Sequence, residues 1–143
     1  ESGSAAANEV LGRAGLVVVA TSAGEPVVVD RQLRFDATVL AVGAHTVDTR
    51  ELHEDVLRGA QVIVEDVGAA RREAGDVVIA VEKGALAWED VVTMAEVVRG
   101  DVALDAARRG VFKTVGMPWE DLAVARVMVG EGLFGPRSTN RPL

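Results

Sequence analysis

Three short valine-rich runs constrain the fold of this chain more than any other feature of its sequence. They extend from Leu16 to Ala20, from Thr38 to Val42 and from Gln61 to Val64. Apolar and polar residues do not alternate within them, which is the pattern of strands buried on both faces of a parallel sheet. The intervals between them are too long for hairpins and suit right-handed crossovers. The sequence therefore predicts an α/β fold.

Segments of helical character flank these runs. Ala5 to Arg13 predicts a helix that leads into the first strand, so we expect further parts of the architecture to precede it. Thr49 to Leu57 predicts a second helix. In that helix Asp48 or Thr49 caps the first turn, and Glu51 stands three positions after Asp48, as in a capping box.

Two more helices are predicted in the second half of the chain. An apolar stripe at three- and four-residue steps predicts a helix that ends at Gly100; its members are Trp88, Val91, Val92, Ala95 and Val98. Pro118 suits the first position of another helix, which runs to about Val129. Apolar residues cover more than one narrow stripe of this last helix, so we expect it to pack on two sides.

The composition excludes several classes of function. The net charge of the 143 residues is -7, which repels nucleic acid and anionic membrane surfaces. There is no cysteine, so disulfides, thiolate metal sites and cysteine nucleophiles are excluded. The longest apolar run is far shorter than the ~20 residues of a membrane span, and no targeting signal is visible. We therefore expect a cytoplasmic protein.

One glycine pattern matches a dinucleotide phosphate loop by its letters alone. It extends from Gly130 to Gly135 as GEGLFG. A working loop joins a strand to a helix whose amides hold the pyrophosphate, with an acidic residue ~20 positions later. Here Pro136 follows at once and the composition of the last residues is that of a tail, so we interpret the match as coincidence. We do not expect this chain to bind the pyrophosphate.

The carboxyl ends of the predicted strands are the strongest candidate for a ligand site. Ligands of open parallel sheets bind there, and Thr21 follows the first run while Gly43, Ala44 and His45 follow the second. Glycine lets a ligand ring approach the backbone, and His45 can act as acid, base or donor near neutral pH. The alternatives are two ordinary turns and a solvated loop histidine. No spacing of His, Asp or Glu supports a metal site.

Four segments resemble, in order and spacing, those of the ornithine cyclodeaminase/mu-crystallin family. They are Val18 to Val27 with ATSAGEP, Ala41 to Leu52 with AVGA and REL, Arg71 to Asp76 with REAGD, and Val111 to Ala123 with FKTVG and EDLA. The resemblance implies NAD or NADP as cofactor, a small amino-acid or imine substrate, and a homodimer. No nucleic acid or membrane partner is implied.

The same resemblance implies a domain organisation. Residues 1–110 correspond to the C-terminal, nicotinamide-side half of a Rossmann-like NAD(P)-binding domain with parallel strands and flanking helices. Residues 111–135 correspond to a signature strand and a helix that return toward a substrate and dimerisation domain, and residues 136–143 to a flexible tail. The substrate domain and the glycine-rich loop of the family have no counterpart here, so we expect the chain to be a fragment or a truncated product.

Site residues are carried over by resemblance. Thr114 matches a cofactor-contacting serine of the signature, and Val115 matches its substrate-contacting neighbour. Thr49 stands where some members have a cofactor-contacting lysine. The complete set implied to contact the cofactor is Thr21, Val42, Gly43, Ala44, His45, Thr49 and Thr114.

One departure from the family bears on the reaction. Ornithine cyclodeaminases have an aspartate at the position of His45. This chain lacks that aspartate, and so do the imine reductases that resemble mu-crystallin. The leading hypothesis is therefore an NAD(P)-dependent oxidoreductase acting on the C–N bond of a small amino acid or cyclic imine, with His45 as the catalytic residue. The alternatives are an ammonia-releasing ornithine cyclodeaminase and a protein that only binds a nucleotide or small ligand.

Overall fold

The computed structural model describes residues 4–130, and a five-stranded sheet lies at its centre. All strand pairs are parallel, and the order is β1-β2-β5-β3-β4, so the last strand along the chain lies in the middle. The strands are β1 Leu16–Val19, β2 Thr38–Ala41, β3 Gln61–Val64, β4 Val91–Thr93 and β5 Gly110–Lys113. The α/β fold and the three valine-rich strands are confirmed.

Six α-helices accompany the sheet in the described residues. They are α1 Ala5–Arg13, α2 Glu54–Leu57, α3 Val67–Glu73, α4 Gly75–Glu82, α5 Met94–Arg99 and α6 Pro118–Gly130. Local capping explains where several begin, because a side-chain oxygen satisfies an amide of the first turn. Ser4 caps α1 in this way and Asp66 caps α3. The predictions of α1 and of a helix after Pro118 are confirmed.

The single helix predicted from Trp88 to Gly100 is wrong over its first half, whereas its end at Gly100 is confirmed. Residues 91–93 form β4, which pairs with β3, and only the six residues of α5 follow as a helix. Val91, Val92 and Thr93 are β-branched, and a free edge on β3 lets them pair as a strand. Thr93 then caps α5 together with Glu96 in a capping box.

The helix predicted from Thr49 to Leu57 is also wrong over its first half. Only Glu54–Leu57 is helical, and His53, expected inside the helix, is its N-cap. The amides of Glu51 and Leu52 bind the Asp76 carboxylate instead of a helical carbonyl. Glu51 is therefore not part of a capping box, and tertiary contacts have replaced the predicted first turn.

The main core lies on one face of the sheet. Valines that alternate along the strands pack there with α2, α3 and α4, and Val39, Val62 and Val111 are fully buried. The expected burial on both faces is wrong for β1, β2 and β5, because the alternate residues of these strands on the other face are exposed or only partly buried. The exposure is greatest on the edge strand β1. There, Leu16 and Val18 are 58% exposed, because residues 4–130 place no cover over that side.

Helix α6 extends beyond the sheet with its apolar side chains exposed. None of its residues is buried, and Trp119 and Leu122 are both more than half exposed. The two-sided packing expected for this helix is not supplied by residues 4–130. No helix within those residues is long and apolar enough to cross a membrane. The predicted tail and, apart from Gly130, the GEGLFG run lie outside the described residues.

Candidate functional site

Three loops that carry the predicted site residues lie side by side at the carboxyl edge of the sheet, the edge where the carboxyl ends of its strands lie. Strands β1, β2 and β5 are parallel neighbours, so the loops that follow them leave the same edge. Thr21 follows β1, residues 42–45 follow β2, and Thr114 and Val115 follow β5. The chain thus brings together residues as distant in sequence as Thr21 and Val115.

The buried carboxylate of Glu51 joins the first two loops. Its Oε1 accepts hydrogen bonds from the Thr21 amide at 2.6 Å and from the Thr21 hydroxyl at 2.8 Å. Its Oε2 accepts the amides of Gly43 at 2.6 Å and Ala44 at 3.3 Å. Glu51 itself is fully buried. Four donors on one carboxylate satisfy its charge and hold both loops in fixed positions.

The close contact between the two loops and Glu51 requires a glycine at position 43. A Cβ built on Gly43 would overlap the carbonyl oxygen of Thr21 and would stand 2.5 Å from Oε1 of Glu51. The sequence suggested that this glycine admits a ligand ring. The structure gives a different reason, because the side of the backbone where a side chain would extend is occupied by the protein itself.

Two further buried residues, Asp76 and Lys113, hold the backbone around Glu51 in place. The Asp76 carboxylate accepts the amides of Glu51 and Leu52, each at 2.8 Å, and its other oxygen lies 3.5 Å from Nζ of Lys113. Lys113 also donates to the carbonyl oxygen of Ala44. Burial raises the pKa of Asp76, against the opposing effects of the Leu52 amide and the Lys113 charge. The ammonium and the two carboxylates therefore form one buried cluster beneath the loops.

The carboxylate of Glu65, just after β3, holds the third loop. Its Oε1 accepts the hydroxyl of Thr114. Its Oε2 accepts the amides of Val115 at 3.0 Å and Gly116 at 3.1 Å. Glu51 and Glu65 thus perform the same task for loops that follow different strands, because each carboxylate accepts backbone amides of those loops.

The remaining predicted residues lie on the outer surface of the same loops. Val42 is 44% exposed, and His45 is exposed with Nδ1 3.1 Å from the carbonyl oxygen of Gly43. The Thr49 hydroxyl lies 2.8 Å from that of Thr46, at the far end of the loop after β2. His45 is therefore the one titratable side chain of the predicted set that is open to a ligand.

The sequence interpretation missed four charged residues that organise the site. They are Glu51, Glu65, Asp76 and Lys113. A usable signal was present for Lys113, because a lysine inside the apolar run of a central strand is rarely buried without a partner. The partners of the three carboxylates are distant in sequence, and no local pattern identifies them. In residues 4–130 no three His, Asp or Glu side chains gather in a way that could hold a metal ion.

A model of the ornithine cyclodeaminase/mu-crystallin family matches residues 2–133. The chain belongs to this family. Delta(1)-pyrroline-2-carboxylate reductase 2 of Burkholderia ambifaria is 36% identical over 110 residues, which are 77% of this chain and 33% of that protein. Ketimine reductase mu-crystallin of Mus musculus is 32% identical over 120 residues, 84% of this chain and 36% of that protein.

The fold of this family member matches a solved structure. The structure of Thermococcus litoralis Delta(1)-pyrroline-2-carboxylate reductase in complex with NADH and L-proline has a TM-score of 0.83 to this chain at 28% identity. The match covers 94% of this chain and 43% of that chain. The predicted Rossmann-like fold class is confirmed. The chain spans about a third of the length of its curated relatives.

Proposed function

We propose that the complete polypeptide containing this chain is an NAD(P)-dependent oxidoreductase that acts on the C–N bond of a small amino acid or cyclic imine. In this proposal the chain supplies the loops that surround the nicotinamide. Bound NAD(P)H supplies the hydride. The proposal is supported by family membership and by the names of the relatives, which include two imine reductases and one complex with NADH.

The observation that carries the proposal is the commitment of the loop amides to carboxylates. Five backbone N–H groups at the carboxyl edge donate to the carboxylates of Glu51 and Glu65. They are those of Thr21, Gly43, Ala44, Val115 and Gly116. A phosphate needs free N–H groups and is repelled by nearby carboxylates. An uncharged ring with a carboxamide does not depend on free backbone N–H groups, and nearby carboxylates do not repel it. The edge therefore suits the nicotinamide side of a dinucleotide rather than its pyrophosphate.

His45 is the residue best placed to move a proton. When its Nδ1 carries hydrogen and donates to the Gly43 carbonyl, Nε2 is the atom left to hold or release a proton. A protonated imidazole at this position can donate to an imine nitrogen or to an ordered water. The aspartate of the cyclodeaminases is absent, so reduction is favoured over ammonia release. Under the same proposal Val115 contacts the substrate.

The test is a turnover assay of the complete polypeptide with Δ1-pyrroline-2-carboxylate and either NADH or NADPH. We expect loss of the reduced cofactor and formation of proline. Ornithine with NAD⁺ serves as the comparison, with released ammonia as the readout. Ammonia release without imine reduction would show a cyclodeaminase. Tight cofactor binding without turnover of either substrate would show a protein that only binds the nucleotide.

A further inference from the structure

The hydroxyl of Thr21 is engaged on two sides in the loop after β1. Its proton is donated to Oε1 of Glu51 at 2.8 Å. Its oxygen accepts the amide of Ala23 at 3.2 Å. A hydroxyl has one proton and two lone pairs, so a single lone pair remains. Toward any ligand at this edge, Thr21 can only accept a hydrogen bond.

The hydroxyl of Thr114 repeats this arrangement in the loop after β5. Its proton is donated to Oε1 of Glu65, and its oxygen accepts the amide of Gly116 at 3.3 Å. The carboxylate again comes from a different element, and the accepted amide is again two positions later. Two of the three predicted cofactor-contacting threonines, Thr21 and Thr114, therefore present an acceptor, and each does so because a carboxylate takes the hydroxyl proton.

We propose that Glu51 and Glu65 are specificity-determining residues: by fixing the direction of the Thr21 and Thr114 hydroxyls, they make this edge select a cofactor ring that carries N–H donors. The inference rests on the proposed function and deepens it. The carboxamide NH₂ of nicotinamide supplies such donors. A ring that carries a methyl ketone in its place leaves the acceptors without a partner, which costs binding free energy. Neither carboxylate needs to touch the ring.

Glu65 offers the cleaner test, because Glu51 is fully buried and also supports two loops. In Glu65→Gln the amide oxygen can still accept the N–H groups of Val115 and Gly116. The amide NH₂ then faces the Thr114 oxygen and donates to it. The proton of Thr114 is released from the carboxylate and turns toward the ligand. The variant keeps the shape of the site and reverses the polarity of one hydroxyl.

The experiment is calorimetric titration of the complete polypeptide with the oxidised cofactor that it binds better and with two analogues. The thionicotinamide analogue keeps the NH₂ group, and the 3-acetylpyridine analogue replaces it with methyl. For the wild type we expect the acetylpyridine analogue to bind about 10-fold more weakly than the other two ligands. For Glu65→Gln and for Thr114→Val we expect this ratio to fall below about 3-fold. Thr114→Ser should retain it.

Glu89→Gln is the matched control, because Glu89 precedes β4 and so lies at the opposite edge of the sheet. It should retain the wild-type ratio. An equal affinity of the wild type for all three ligands, or an unchanged ratio in Thr114→Val, would overturn the inference while leaving cofactor binding intact. Binding of none of the three ligands would instead overturn the proposed function itself. If Glu65→Gln does not fold, Thr114→Val and Thr114→Ser decide the matter.

Discussion

The amide nitrogen of Gly43 lies 2.6 Å from Oε2 of Glu51, and this contact holds the loop after β2 against the loop after β1. The same carboxylate accepts the amide and the hydroxyl of Thr21 through its other oxygen. The two strands therefore share one acceptor at their carboxyl ends. Any change that separates Gly43 from Glu51 should disturb both loops together.

Gly43→Ala should destabilise the fold by about 1–3 kcal/mol or more, because the new methyl group overlaps the Thr21 carbonyl and crowds Glu51. Urea unfolding of the 143-residue chain, followed by circular dichroism, measures this change. The matched control is Gly15→Ala, whose Cβ would meet nothing within 4 Å. A wild-type unfolding midpoint in Gly43→Ala would contradict the close approach at this position.

Glu54 should make the fold sensitive to acid. Burial alone would raise its pKa, but its own backbone amide and the side chains of Lys83 and Arg50 lower the pKa to about 2, from an ordinary value of 4.5. The ionised form thus stabilises the native state. That contribution is complete above about pH 4.5 and is lost as the pH falls toward 2. Solvent screens the pair with the half-exposed Lys83, so the size of this contribution is on the order of 1 kcal/mol.

The corresponding measurement compares the unfolding free energies of wild type and Glu54→Gln over this pH range. The advantage of the wild type should shrink as the pH falls from 4.5 to 2, because the variant has no charge to lose. Glu25→Gln is the control, since Glu25 is exposed and has no ion-pair partner within residues 4–130. A wild-type advantage that stays constant with pH would be the contrary result.

His45→Ala should lower kcat/KM for imine reduction by about 10²-fold, if the imidazole is the general acid that the proposed function assigns. The measurement is the pH dependence of kcat/KM in the complete polypeptide. The control is His53→Asn, which changes the other histidine and keeps a side chain suited to the N-cap of α2. Identical pH profiles and rates for wild type and His45→Ala would remove His45 from the mechanism.

The 143-residue chain by itself should bind NAD(P) much more weakly than the complete polypeptide. No glycine-rich loop joins a strand to a helix within residues 4–130, and the amides of the carboxyl edge are already committed to Glu51 and Glu65. Parallel calorimetric titrations of the two proteins test this expectation. Micromolar affinity of the short chain would show that the pyrophosphate contributes little to binding.

Local patterns were enough to predict the elements whose sequence signals are local. The valine-rich runs became β1, β2 and β3, and Ala5–Arg13 became α1 as expected. The preference of β-branched residues for extended backbone and the capping of helices act over a few positions, so their signals are visible in the sequence. The loops at the carboxyl edge could also be predicted, because parallel strands end at one edge whatever their order.

The tertiary structure decided which strands are neighbours and what organises the site. The valines of residues 91–92 fit helical steps as well as a strand, and only the free edge of β3 settled their conformation. Glu51 looked like a capping residue, yet its partner Thr21 is 30 positions away. Apolar burial is non-directional and can be inferred from composition and period. A buried carboxylate needs particular donors at particular distances, and only the folded chain brings them together.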